Sequence, residues 1–170
     1  VQELPTHGGS LRVFARHAAN DSLPVAPAVD ALERREIAAG LRTPAGYLGM
    51  QQATNTIRAD FLCFLHACRA SGKRVAAYGA AAKGNTLLNY CGIKGNELIE
   101  YVVDRSPHKQ GLFLPGSHLP IMAEGELRRT RPDLIVIFPW NLRTEISEQL
   151  AYARDWGAQF AVCIPRLEVF

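Results

Sequence analysis

The stretch Val75–Asn89, VAAYGAAAKGNTLLN, constrains the fold more than any other part of the chain. A short apolar run, Val75 to Tyr78, enters a turn of glycine and alanine, and a helix-forming run, Thr86 to Asn89, follows. Unpaired backbone N–H groups and the positive end of the helix dipole converge on such a turn. Residues without bulk let an anion approach it. Lys83 adds a mobile positive charge. The segment reads as a grip for a phosphorylated or nucleotide-linked molecule.

From Lys73 onward, strand and helix patterns alternate. Expected strands cover Arg74–Tyr78, Leu98–Val103 with Asp104 at its end, Leu119–Met122, Asp133–Phe138 and Phe160–Ile164, and Leu167–Phe170 reads as an edge strand. Expected helices cover Asn85–Cys91, Ala123–Arg129 and Leu142–Trp156, with a long loop over Arg105–His118. Asp133–Phe138 is almost continuously apolar, which suits burial on both faces of a parallel sheet. The alternation predicts an α/β fold: a Rossmann-like parallel sheet with helices on both faces. Ligands of such sheets bind at the carboxyl ends of the strands, so the turns there are the places to look.

Ahead of this region, Tyr47–Ala70 reads as one long helix with Ile57, Phe61, Phe64, Leu65 and Cys68 on a single apolar stripe. A short helix over Val29–Ala39 stops at Gly40. Two short extended pieces flank Gly8-Gly9, and Ser10–Arg16 alternates as a half-buried strand, with Leu11, Val13 and Ala15 on one face. The expected organisation is strand tails over 1–17, a linker with a short helix over 18–46, and the Rossmann-like domain over 47–170. The chain begins with Val in the middle of a strand-like segment, which leads to the expectation of a piece of a longer protein.

Composition narrows the classes. With 48% hydrophobic and 21% charged residues and a net charge of +3, the 170 residues suit a globular domain with a sizeable core. The densest basic group, Arg128, Arg129 and Arg131, suits a solvated helix end, so no nucleic-acid partner is expected. The cysteines Cys63, Cys68, Cys91 and Cys163 form no C-x-x-C pair, and His7, His17, His66 and His108 lack ligand spacing, so no metal site is expected. Reduced, buried thiols suit a cytoplasmic protein. No apolar run of about 18 residues predicts a membrane span.

Three motif readings compete at the glycine turn. Gly79 and Gly84 have P-loop separation and Thr86 is in place, but Asn85 holds the lysine position and no acid follows the Leu134–Phe138 strand to hold magnesium. Gly79-Ala80-Ala81-Ala82-Lys83-Gly84 is a partial dinucleotide fingerprint with Asp104 at the required distance, although Ala81 stands at the second glycine. The small residues can also serve only to pack helix on sheet.

A wider pattern joins these pieces. The run GAAAKGNTLLNYCGI resembles a signature of the C-terminal domain of SAM-dependent sugar C-methyltransferases. Val103–Gly111 followed by Leu114–Ile121 is similar to that family's loop of aspartate, lysine, glutamine and glycine, then proline-glycine. Pro139-Trp140-Asn141 also fits. Leu4–Arg12 resembles the closing strands of the family's methyltransferase domain. The resemblance implies a C-terminal piece of an enzyme that methylates a ring carbon of a nucleoside-diphosphate deoxysugar. It also implies that SAM and the catalytic residues belong to parts absent here: the sequence contains neither the SAM glycine motif nor the zinc-binding cysteine cluster.

On that basis the partners expected are a nucleoside-diphosphate sugar and a preceding methyltransferase domain. No cofactor and no catalytic residue are expected within this piece. The candidate substrate-binding residues are Gly79, Ala80, Ala81, Ala82, Lys83, Gly84, Asn85 and Thr86 in the turn. Asp104 can accept from a ribose hydroxyl or cap a neighbouring turn. Lys109 and His118 lie in a long loop that can close over a substrate or dock on a preceding domain. Trp140 can stack on a base or pack at a domain edge. Asn141 can bond a ligand, but suits better an N-cap of the following helix. Two readings remain beside this one: a nicotinamide-dependent or other dinucleotide-binding domain, and a structural docking domain.

Overall fold

The structure is a computed structural model that describes every residue except His7 and Gly8. The expected turn at Gly8 and the metal-ligand question for His7 lie outside the described residues. The chain divides into two units, Val1–Ala53 and Thr54–Phe170.

In the first unit, β1 (Gln2–Leu4) pairs antiparallel with β2 (Ser10–Arg12), Glu3 opposite Leu11. The expected strand to Arg16 stops four residues early. Its apolar side is not half-buried: Leu11, Val13 and Phe14 are exposed. Helix α1 (Pro27–Ala38) begins on a proline, where a missing N–H costs nothing. A 3-10 turn at Pro44–Tyr47 ends where the expected long helix begins, and α2 runs from Met50 to Ala70, three residues late. The division between units falls within α2. Among its described residues the first unit has no buried side chain.

The second unit is built on a six-stranded sheet. Its elements in chain order are β3 (Val75–Tyr78), α3 (Ala82–Cys91), β4 (Val102–Val103), β5 (Ile121–Met122), α4 (Gly125–Thr130), β6 (Leu134–Ile137), α5 (Arg143–Gln149), β7 (Gln159–Val162) and β8 (Glu168–Val169). The spatial order is β5-β4-β3-β6-β7-β8. The first five strands run parallel, and β8 lies antiparallel on β7. Ala77 pairs with Val102 on one side and Val136 on the other.

Alternate strand residues feed two cores. Val75, Ala77, Val102, Leu134, Val136 and Ala161 face Phe61, Leu65 and Cys68 of α2 and Leu87, Leu88 and Cys91 of α3. Ala76, Tyr78, Val103, Ile135, Ile137 and Phe160 face Leu127 of α4, Ile146 of α5, and Leu150 and Ala153 beyond it. The period-2 alternation of buried residues explains the continuous apolar run of β6: both faces are covered. The expected single helix over Leu142–Trp156 is broken into a 3-10 turn at Trp140–Leu142, α5, and a 3-10 stretch at Ala151–Trp156. No helix among the described residues is long and apolar enough to cross a membrane. No cluster of three or more metal-ligating side chains occurs among them.

The chain starts at the middle of the sheet with β3, moves outward to β5, then returns past β3 to β6. The connections leaving β3 and β6 therefore go to opposite faces. That reversal makes the carboxyl ends of these two neighbours the topological switch point of a doubly wound sheet, the position at which such folds bind ligands.

Candidate functional site

The Gly79-Ala80-Ala81 turn after β3 and the Phe138–Asn141 turn after β6 meet at the switch point. Gly79 has φ +91°, and a Cβ there would lie 2.6 Å from both Cδ and Cγ of Pro139. Only glycine lets the two turns come this close. The turn is tight: Ala81 N–H donates to Gly79 O at 2.8 Å, and Gly79 N–H to Val103 O at 2.8 Å.

Helix α3 then begins at Ala82, three residues earlier than expected. This divides the candidate loop Gly79–Thr86. Gly79, Ala80 and Ala81 form the turn, while Ala82, Lys83, Gly84, Asn85 and Thr86 are helical. Gly84 is buried, and a Cβ there would lie 2.5 Å from Phe138 Cγ. Its smallness serves the contact of α3 with β6. Thr86 Oγ1 donates back to Ala82 O at 3.0 Å. Asn85 Oδ1 is buried with no hydrogen-bond partner, and Asn85 N–H closes the first helical bond to Ala81 O.

The N-terminus of α3 carries no side-chain cap. Ala81 at the N-cap supplies no side-chain acceptor, and the first turn holds no acid. Its orphan N–H groups therefore meet no acid of the helix's own first turn. Lys83, exposed in this first turn, donates to Asn141 Oδ1, and its ammonium lies 5.0 Å from the centre of the Trp140 ring. Lys83, Trp140 and Asn141 thus meet at the switch point, although Asn141 lies 58 positions from Lys83. Asn141 is not the helix cap the sequence favoured: α5 has Leu142 at its N-cap and no side-chain cap bond.

Asp104 follows β4 and is turned toward the chain. Its Oδ2 accepts from Ala80 N–H at 2.8 Å and from the Lys109 ammonium at 3.1 Å, and its Oδ1 accepts from Ser106 N–H at 2.9 Å. Lys109 also donates to Ala80 O at 3.0 Å, and Gln110 Nε2 to Asp104 O at 2.9 Å. Of the alternatives the sequence left open for Asp104, the geometry is that of a cap on a neighbouring turn.

His118 is carried away from this group. Gly111–Leu114 folds back along Leu119–Ile121, with Gly111 N–H donating to Ile121 O, Ile121 N–H to Leu112 O, and Leu114 N–H to Leu119 O. The tip of this hairpin, Pro115–His118, sits beside Asn89 near the C-terminus of α3, where Asn89 Nδ2 donates to Pro115 O at 3.0 Å. Helix α3 starts at the carboxyl end of β3, so its C-terminus marks the amino end of the sheet. His118 lies there, exposed, at φ +58°.

A polar network behind the switch point escaped sequence reasoning. Gln149 Nε2 donates to Tyr78 Oη at 2.9 Å and to Glu124 Oε2 at 2.6 Å, and Tyr152 Oη donates to Glu124 Oε1 at 3.1 Å. Burial raises the Tyr78 hydroxyl above its ordinary value. Burial, with the adjacent Glu124 carboxylate, pushes Tyr152 up to about 12. Both phenols are neutral at physiological pH; Tyr78 ties α5 to the end of β3, and Tyr152 ties the stretch after α5 to Glu124 ahead of α4. Pro139, Ser106 and Gln110 were not among the candidate site residues, although the family-like runs Val103–Gly111 and Pro139-Trp140-Asn141 contain them.

The class that the fold and these turns define is a doubly wound α/β domain with an uncapped helix N-terminus and a lysine at its switch point. Within that class, the model of the C-methyltransferase C-terminal domain family matches residues 5–165, and the chain belongs to that family. It is 35% identical over 169 residues to the C-methyltransferase NovU of Streptomyces niveus. The match covers 99% of this chain and 40% of that protein, so the chain spans less than half the length of this relative.

Proposed function

We propose that this chain is the substrate-holding C-terminal part of a SAM-dependent C-methyltransferase acting on a nucleoside-diphosphate deoxysugar. The observation that carries this reading is the meeting of Lys83, Trp140 and Asn141 beside the uncapped N-terminus of α3. The ligand's phosphates take the orphan amides of Ala82, Lys83 and Gly84, with the Lys83 ammonium as counter-charge. The Trp140 ring offers a stacking surface to the base, and Asn141 a polar contact. Holding the nucleotide handle orients the sugar at a reacting carbon held by another part of the enzyme.

SAM supplies the methyl group in such an enzyme. The residues here do not fit its adenosine, because Asp104, the acid in the ribose-reading position, already accepts from Ala80, Ser106 and Lys109. We therefore assign that cofactor to a preceding methyltransferase domain. Residues 1–17 serve as tail strands of that domain, 18–46 as a linker, and 47–170 as the Rossmann-like domain. The exposed Leu11, Val13, Phe14, Leu23 and Val25 support a docked first unit, since apolar side chains without a core of their own call for a covering surface.

Titration with dTDP, followed by Trp fluorescence and calorimetry, tests the reading. Displacing Lys83 from the Trp140 ring changes the emission. Lys83→Ala weakens binding about tenfold or more, the scale of one charge-assisted hydrogen bond. No heat and no fluorescence change at millimolar dTDP refute the site.

A further inference from the structure

In dinucleotide-binding sheets the acid at the end of the second strand accepts the ribose hydroxyls of the cofactor. The same position here is Asp104, at the end of β4, and every contact it makes is internal. Ser106 N–H holds Oδ1 at 2.9 Å, while Ala80 N–H and the Lys109 ammonium hold Oδ2 at 2.8 Å and 3.1 Å. The carboxylate side chain is 13% exposed.

We propose that Lys109 is a specificity-determining positioning residue: by tying Asp104 to the Ala80 carbonyl it denies the carboxylate to any ligand ribose, and so closes the switch point to dinucleotides. This deepens the substrate-holding reading, on which it rests for its place in the reaction. The ammonium is the one member of the tie that reaches both sides of the turn. It donates to Ala80 O at 3.0 Å and to Asp104 Oδ2, whereas the amide donors each reach a single oxygen. A ribose hydroxyl approaching Oδ2 would have to displace the charged donor or the Ala80 amide.

The tie also fixes the Gly79-Ala80-Ala81 turn from the β4 side, while Pro139 limits it from the β6 side. Its sequence carrier is the separation of Asp104 from Lys109-Gln110. Gln110 Nε2 closes on the Asp104 carbonyl at 2.9 Å and holds the intervening loop against the strand end. Lys109 thus touches no ligand. It acts through Asp104 and Ala80, and leaves Lys83 as the cation facing the phosphates.

The test uses the 170-residue chain, isotopically labelled for NMR, with NAD+ and dTDP as probes. Lys109→Met keeps the aliphatic stem and removes the ammonium. It is expected to speed amide exchange at Ala80 about tenfold, the effect of losing a charge-assisted bond, and Lys109→Arg is expected to restore protection. A Met variant with wild-type exchange at Ala80 overturns the proposal. NAD+ is expected to leave the Ala80, Asp104 and Ser106 amide signals of the wild-type chain in place. Saturable movement of those signals overturns it without recourse to any variant. Where dTDP moves no signal but Ala80 exchange responds as stated, the phosphate reading fails and the tie stands. Where dTDP binds, Lys109→Met weakens it several-fold by loosening the turn, and Lys109→Arg recovers it; a loss that arginine does not recover makes Lys109 a direct ligand and overturns the proposal.

Discussion

Gly84→Ala separates packing from phosphate approach as the reason for glycine in this helix. An added Cβ would lie 2.5 Å from Cγ, 2.6 Å from Cβ and 2.7 Å from Cδ2 of Phe138. Phe138 is 1% exposed and directly follows the central strand β6, so its Cβ cannot swing aside as the end of a flexible side chain could. Overpacking of this kind costs about 3 kcal/mol, the upper part of the usual range. Alanine recovers about 1 kcal/mol through its higher helix propensity. The net loss is about 2 kcal/mol, or about 8 °C in Tm at about 4 °C per kcal/mol for a domain of this size. Thermal denaturation followed by circular dichroism reads it, with Ala82→Gly, at an exposed position of the same turn, as the comparison. A Gly84→Ala protein that melts within about 2 °C of wild type and binds dTDP poorly would refute the packing argument and restore Gly84 as a phosphate-approach residue.

Two further outcomes are expected. Cys68, Cys91 and Cys163 are buried and Cys63 is exposed; burial raises the Cys91 thiol to about 11 and pushes Cys68 and Cys163 upward as well. A disulfide reagent at mildly alkaline pH should therefore label one thiol of the folded chain quickly and all four in denaturant, and a second fast thiol would contradict the core described. Glu168 is held below its ordinary 4.5 by hydrogen bonds from Arg143 and then Arg166. A depressed carboxyl contributes stability above its unfolded pKa and loses it as pH falls, so the Tm gap between wild type and Glu168→Gln should narrow between about pH 6 and about pH 3. A constant gap would mean the ion pairs on β8 contribute nothing.

The architecture was legible where local pattern and tertiary demand agree. The apolar run of β6 admits few alternatives to a strand covered on both faces, and the VAAY-turn-helix pattern places β3 in its middle. The start of α3 was not legible. Its cap is an alanine, so no polar side chain marks the boundary, and Gly84 then looks like part of a loop. The break within Leu142–Trp156 was hidden for another reason: Ile146, Leu150 and Ala153 keep their inward facing through a 3-10 stretch, because the two helical periods diverge little over one turn. The candidate residues were legible as a list, but not which of them the fold brings together. Lys83 and Asn141 meet only because the strand order reverses between β3 and β6. The hairpin that takes His118 to the far end of the sheet left only Gly and Pro turn signals, which suit an open loop equally well.

That hairpin and the last strand share a consequence. Gly111–Leu114 runs antiparallel along the outer flank of β5, and β8 does the same along β7 for two residues. Each flank of the parallel sheet is therefore closed by a brief reversed segment, which leaves little backbone on which a neighbouring molecule could add a strand. The domain is built to end at its own borders. Strand addition from a neighbouring molecule would therefore meet only a few residues of backbone at either flank.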